Sequence, residues 1–380
     1  MQAQAPLGGA GASARYYLPE LDILRFFAFF LVFFNHVGQT DGAFWAQVPL
    51  VGSLGSLFIA AAIGSGFGVD LFFALSSFLI TTLLMKEREK EGRIDVRAFY
   101  LRRALRIWPL YFVFLLLLRP LLPLVMPEEN MPWEYTVAFL LFVGNWASVA
   151  WGFPHSAAAI LWSVSMEEQF YLAWPWIVRK WGANLLKVSV VLIAVACVTR
   201  IGLVAGGAVH HQIWDNTFAR LDPIACGMIL AVIAHRKPFA FSAPARVALL
   251  LFGIAVLILI GRYGAAVGPK ALVTLPAGSV ACVALILATL GLRMPSAATN
   301  PVLKTLIYLG RISYGLYVFH MVFVMLFGVP AIQDPGGRLI WSLAALAATT
   351  ACAAVSYHWL ERPFLRLKDR FAHVKSTPVA

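Results

Sequence analysis

The length of its uninterrupted apolar runs constrains this chain most. Ile23 to Val37, Val247 to Ile260 and Ala271 to Leu290 between them hold only Arg25 and His36 as basic side chains, and no acidic ones. A helix needs about 20 mostly apolar residues to cross the hydrocarbon core of a bilayer. Solid blocks of this kind exclude a soluble fold. They also argue against a membrane β-barrel, whose strands alternate apolar and polar residues. Composition agrees: 61% of the 380 residues are hydrophobic and 13% are charged, too few to cover a soluble domain of this length. A net charge of +12 in a soluble protein would raise the question of nucleic acid. Here the basic residues gather in short loops between apolar runs, where they act as topology signals, so no nucleic-acid partner is expected. Cys197, Cys226, Cys282 and Cys352 lie inside apolar runs without metal-ligand spacing and read as small buried residues, and no metal is expected. Met1 to Ala14 is rich in Ala and Gly and has no apolar centre, so no cleavable signal is expected there.

The apolar runs predict an all-α, polytopic transmembrane helical bundle of about ten spans, near 21–39, 66–85, 107–125, 165–180, 186–205, 218–234, 246–261, 271–291, 313–329 and 338–359. Residues 1–17 are expected to form a disordered cytoplasmic N-terminus, 18–370 the membrane domain and 371–380 a cytoplasmic tail. The loop from Lys86 to Arg106 holds eight Lys and Arg, whereas Thr40 to Ser65 holds none. The first is therefore placed inside and the second outside. The remaining basic clusters then fit ten crossings with both termini cytoplasmic, provided that only one net crossing lies between Arg119 and Arg179. Either 135–151 or 165–180 must be re-entrant or interfacial, and irregular backbone at that depth is tolerated where it lines a cavity.

The first span reads LDILRFFAFFLVFFNHVG. Asp22 and Arg25 are three residues apart and can pair on one helix face. Arg25 and His36 are eleven apart, close to three turns, which places them on a shared face about 16 Å apart along the axis. Ionisable residues in a span usually face the interior and mark function. His36 can serve as a base near neutral pH. At the two ends of the run the same residues can also act as interface anchors.

Further polar groups recur along the chain. GFGVDLFFALSSFLI carries Asp70, among glycines that allow close helix packing. In FYLRRALRIWPLY, Arg102, Arg103 and Arg106 can form one cationic face. Such a face suits either the phosphates of a nucleotide-bearing donor such as coenzyme A or those of lipid. WSVSMEEQFYLAWP combines Trp162, Ser163, Glu167, Glu168 and Tyr171. A Glu here can orient a histidine or receive a hydroxyl proton, and the segment equally reads as a helix start with first-turn acids. RLDPIACG places Arg220 and Asp222 at the outer end of a span. RISYGLYVFH ends on His320, and YHWLERPF sets Glu361 beside Arg362 in what reads as an interfacial ion pair.

In this order the motifs resemble those of the acyltransferase-3 family of membrane-bound acyltransferases, over roughly residues 18–370. Members acylate sugars of lipopolysaccharide, exopolysaccharide, Nod factors and some antibiotics. The specific marks are Arg25 and His36 with ten residues between them, RRALRIWPLY, WSVSMEEQFYL and LGRISYGLYVFH. The resemblance implies a bundle of about ten spans in the inner, cytoplasmic membrane. It implies acyl-CoA, acetyl-CoA first, as donor substrate, a glycan or glycolipid hydroxyl as acceptor, membrane lipids as partners and no permanently bound cofactor. It carries the family's essential pair onto Arg25 and His36, its cytoplasmic arginine motif onto Arg102, Arg103 and Arg106, and its WSLSVEEQFY pattern onto Trp162, Ser163, Glu167 and Glu168. Two departures stand out: Ser77 replaces the glycine of the usual SGF, and SVSMEEQ replaces SLSVEEQ. The resemblance is to the stand-alone form, with no esterase-like domain expected after Ala380.

On this resemblance His36 is the general base or a transient acyl carrier, oriented by Glu167 or Glu168. Arg25 stabilises the thioester oxygen or binds the donor, and Arg102, Arg103 and Arg106 hold coenzyme A phosphates. Asp22, Asp70, Trp162, Ser163, Tyr171, Arg220, Asp222 and His320 are expected as substrate-binding or supporting groups. The rival expectation is a transporter or flippase, which also buries ionisable residues near the midplane.

Overall fold

A computed structural model describes residues 16–38, 54–264, 268–292, 294, 300–372 and 374. Most of the N-terminal stretch 1–17, the first part of the loop 40–65 and most of the tail 371–380 lie outside the described residues. The described chain is a bundle of helices with no strand, only an isolated bridge between Asn130 and His155. Among the described residues seven helical stretches are long and apolar enough to cross a membrane, and eight if a bent pair is counted as one span.

The ladder begins with α1 (Pro19–Gly38), α2 (Gly55–Gly64) and α3 (Gly68–Glu91). α3 stops at Gly92, whose left-handed φ of 70° is a conformation glycine adopts without a Cβ clash. α4 (Val96–Val113) starts on Asp95, which accepts from the Ala98 amide as an N-cap. That cap fixes where Arg102, Arg103 and Arg106 emerge. Next come α5 (Trp133–Leu140), α6 (Gly144–Trp151), α7 (Trp162–Trp181), α8 (Leu185–Ala205), α9 (His210–Trp214) and α10 (Asp222–Arg236). The chain continues through α11 (Ala243–Tyr263), α12 (Ala271–Thr289), α13 (Pro301–Arg311), α14 (Ser313–Leu326), α15 (Pro335–Ser356) and α16 (Arg362–Lys368).

Two details refine the expected spans. Residues 135–151 form two eight-residue helices, α5 and α6, each about 12 Å long. They are joined at Phe142, which has a φ of 55°. α7, by contrast, is continuous over 20 residues despite Pro175, so the unbroken helix of this pair is 162–181. α13 and α14 meet at a 75° bend. α10, with 15 residues, is only about 22 Å long, too short to count among the seven.

α3 is the hub, packed against α1, α7, α10 and α12. Its tightest crossing is with α10. A Cβ built on Gly227 would stand 2.2 Å from the Ala74 carbonyl oxygen, so only glycine admits this approach. One turn earlier, the Ser77 hydroxyl donates to the Ile224 carbonyl at 2.6 Å. Where the family pattern has glycine, this chain therefore has a hydrogen bond, and the close approach sits at Gly227. Gly227→Ala is expected to force α3 and α10 apart and cost about 1–3 kcal/mol. Gly202→Ala, at a position with open space around it, is the control. Thermal unfolding in detergent should separate the two, and equal midpoints would refute the packing argument.

Candidate active site

The start of α1 is held by Asp22. Its carboxylate accepts from Arg25 Nη1 at 2.8 Å and from the Tyr17 hydroxyl at 2.8 Å, with Arg311 Nε 4.0 Å away. Burial, with Asp22 alongside, pushes the Tyr17 hydroxyl up to about 12, so it stays a proton donor. Asp22 thus aims Arg25.

Arg25 opens onto a cavity of about 90 Å³ whose polar lining includes Arg103, Arg106, Ser163, Glu167 and Tyr171. Glu167 accepts from the Tyr171 hydroxyl, and the Arg103 guanidinium lies 5.4 Å from the Tyr171 ring centre. Three guanidiniums against one carboxylate leave a positive field suited to an anion. Arg106 has no hydrogen bond or ion pair among the described residues. Arg102 stands apart from this cavity. It pairs with Glu87 at 2.9 Å and donates to the Phe371 carbonyl at 2.8 Å. Glu168 also points elsewhere, accepting from Trp108 Nε1 at 3.2 Å, because neighbouring residues on a helix project about 100° apart.

His36 lines a second, larger cavity of about 400 Å³ at the far end of α1, with Asn35, Ser156, Trp162, His210 and Trp214. The His36 and His320 ring centres are 5.2 Å apart. His320 is fully buried. Its Nδ1 pairs with the Tyr317 carbonyl at 2.6 Å, and its Nε2 has no partner among the described residues. An Nδ1–H donating to a carbonyl leaves Nε2 as the lone-pair nitrogen. Neither Glu167 nor Glu168 lines the His36 cavity among the described residues, so the structure does not bring them to the histidine they were expected to orient.

The expected supporting groups sort into structural pairs. Asp70 and Arg220 form a buried ion pair at 2.6 Å. Arg220 also donates to the Trp214 carbonyl and lies 3.8 Å from the Trp214 ring centre and 5.9 Å from that of Trp162. It therefore braces two walls of the His36 cavity. Asp222 does not pair with Arg220 two residues earlier; it pairs with Arg200 on α8. Glu361 is likewise not bridged to Arg362. It is buried in a π-helical turn and accepts from Ser356 at 3.2 Å.

Three further residues that matter here stand out in no motif. Tyr317 and Val69 line both cavities. The Tyr317 hydroxyl is 2.6 Å from Ser163 Oγ and 3.0 Å from the Ile160 carbonyl, on the turn where α7 begins. The available signal was spacing: Tyr317 precedes His320 by three residues and shares its face. The third is Asp215, buried behind Trp214 with neither carboxylate oxygen partnered among the described residues. Burial pushes its carboxyl well above the usual range, against the pull of Arg220. A carboxyl whose folded pKa is raised costs stability once the pH exceeds its unfolded value, near 4. Asp215→Asn is therefore expected to raise the thermal midpoint at pH 8, with the gain vanishing at about pH 4. A gain that persists unchanged at the lower pH would refute the assignment.

α1 thus runs from a cationic cavity lined by Arg25 to a histidine cavity lined by His36. Residues 18–358 match the acyltransferase domain family, and the chain belongs to that family. It is similar to the peptidoglycan O-acetyltransferase OatA of Listeria monocytogenes, 26% identical over 384 residues, which cover 92% of this chain and 56% of that protein. It is also similar to the putative peptidoglycan O-acetyltransferase YrhL of Bacillus subtilis, 25% identical, covering 91% of this chain and 55% of that protein. The O-acetyltransferase OatA of Staphylococcus aureus is 25% identical, with 91% of this chain and 57% of that protein covered. The chain thus spans little more than half the length of these relatives. No solved structure matches.

Proposed function

We propose that this acyltransferase moves an acyl group, acetyl first, from acyl-CoA at its basic end to a sugar hydroxyl of a surface glycan at the opposite end. The observation that carries this reading is the pair of cavities on α1, one lined by Arg25, Arg103 and Arg106, the other by His36, with Tyr317 and Val69 between them. By the positive-inside rule the arginine end faces the cytoplasm, ten crossings bring both termini there, and the membrane is the cytoplasmic one.

The anionic part of the donor sits among the arginines, whose planar forks match phosphate oxygens. Its thin arm reaches past Tyr317 toward His36. There the acceptor oxygen attacks the thioester carbon while His36 takes its proton. The C–O bond forms, the C–S bond breaks, and the coenzyme A thiolate recovers the proton from the imidazolium. The same residue can instead carry the acyl group between two such exchanges, with the thiolate leaving first and the sugar oxygen attacking second. Arg25 lies about 16 Å along the helix from His36. That is too far to touch the same carbonyl, so its role is to hold the donor. His320, beside His36, takes the orienting role expected of Glu167 or Glu168.

The relatives' names make peptidoglycan amino sugars the first acceptors to try, ahead of lipopolysaccharide. The test is purified protein in vesicles with labelled acetyl-CoA and isolated glycan. Saturable binding and label recovered as a glycan ester are the expected result. Absence of acetyl-CoA binding, together with substrate-dependent flux across the vesicle, would overturn the reading in favour of a transporter.

A further inference from the structure

α16, at the C-terminal end of the described chain, ends on Lys368, whose side chain is 7% exposed. A lysine ammonium is seldom buried unless paired. Its ion pair among the described residues is a loose 3.9 Å contact with Asp369, its neighbour in the chain. Arg102 and Arg103, both of its own sign, line the same small space. Of the acidic groups nearby, Glu87 is already engaged by Arg102 at 2.9 Å and by the Asp95 amide at 2.8 Å. Lys368, Arg102 and Arg103 therefore meet around one small space whose carboxylates are Asp369 and the already engaged Glu87. Such an arrangement stores repulsion that a bound polyanion relieves.

Geometry also shows what stands in the anion's place. Arg102 Nη1 donates to the Phe371 carbonyl oxygen at 2.8 Å, where a phosphate oxygen would accept more strongly. The space between Glu87, Arg102, Arg103, Lys368 and Asp369 is closed over by Ala372 and Val374 and measures about 20 Å³. That is room for about one water. A phosphate fits only if Ala372 and Val374 move aside.

We propose that Lys368 and the turn Asp369–Phe371 form part of the donor site: Lys368 joins Arg102 and Arg103 in binding the phosphates of a nucleotide diphosphate donor, which displaces the Phe371 carbonyl from Arg102. This rests on the reading of acyl-CoA as donor and adds a binding residue on α16, outside every motif used for that reading. Lysine suits the task as a flexible point charge beside the fixed forks of arginine.

The test uses the full chain in detergent or nanodiscs and two probes, acetyl-CoA and acetyl-pantetheine, the second lacking the nucleotide phosphates. Lys368→Met is expected to weaken acetyl-CoA binding about tenfold or more, the scale of one charge-assisted contact. It should leave acetyl-pantetheine binding unchanged and flatten the salt dependence of acetyl-CoA binding, and Lys368→Arg should restore most of the affinity. Unchanged acetyl-CoA affinity in Lys368→Met, with wild type binding normally, overturns the inference and leaves the donor reading standing. Equal weakening for both probes also overturns it, since the lysine would then act on the fold and not on phosphate. Wild-type protein that binds neither probe overturns the donor reading itself.

Discussion

Replacing His36 with alanine, at matched protein level, is expected to slow acyl transfer by about 10²–10⁴, the range for loss of a positioned acid–base group. Affinity for acetyl-CoA should change little, because His36 lines the larger cavity and the arginines line the other. That split is the informative part. A variant damaged in its fold would lose binding and turnover together, whereas removal of a base or acyl carrier leaves the donor bound and the transfer stalled. Single-turnover measurement of labelled acetyl release in the presence and absence of glycan reads both quantities. If His36→Ala transfers acetyl as fast as wild type, the histidine is an anchor at the end of α1 and the proposed chemistry fails. His320→Ala should give a smaller loss, since its part is to pack against His36 at a ring separation of 5.2 Å.

Much of the fold was legible because its physics is one-dimensional. A helix that must satisfy its own backbone in hydrocarbon announces itself as a solid apolar run, and helices occupy the segments read as spans. Residues 135–151, apolar enough to cross, compete with 165–180 for a single crossing, and there the chain breaks at Phe142 with a positive φ. Beyond the break a Cβ on Gly144 would lie 2.1 Å from the Phe139 ring, so the aromatic side chain folds back over the glycine. Hydropathy carries no trace of that turn. The 75° bend between α13 and α14 is hidden too: only together are the two helices long and apolar enough for one span, and the break lies at Ile312 between them.

The site was legible where residues share a helix and opaque where they do not. Asp22 and Arg25 pair as their spacing of three demands. Glu167 and Tyr171, four apart, bond as neighbours on one face, and that face meets Arg103. Adjacency in sequence misled at Glu361 and Arg362, where the buried carboxylate turns to Ser356 instead. Arg220 and Asp222, both buried, each find a counter-ion on another helix. Glu167 and Glu168 look interchangeable, and helical rotation sends only the first to the arginine cavity. The partnership of His36 with His320 and the shared wall at Tyr317 depend on α1 and α14 meeting in space, which no periodicity encodes.

That cross-helix wiring makes the ion pair of Asp70 and Arg220 the place where a single change should cost the fold most. Both side chains are essentially unexposed, 0% and 1%. The pair links α3, the hub of the bundle, to the turn before α10. Asp70→Ala removes the counter-charge and leaves a guanidinium buried beside Trp214, a loss expected at about 3–5 kcal/mol. Arg220→Met alone should cost a comparable amount by stranding the carboxylate. The double variant Asp70→Leu with Arg220→Met removes both charges and refills the space with apolar atoms, so it should recover much of the stability lost by either single change. Its activity should not return in step, because Arg220 also supports the Trp214 and Trp162 walls of the histidine cavity at 3.8 and 5.9 Å. Thermal midpoints and transfer rates measured on the four proteins of this cycle separate the two roles. Additive losses in stability would mean that the charges do not act as a pair in a low-dielectric interior. Full activity in the double variant would mean that the ion pair holds the helices and contributes nothing to the shape of the cavity around His36.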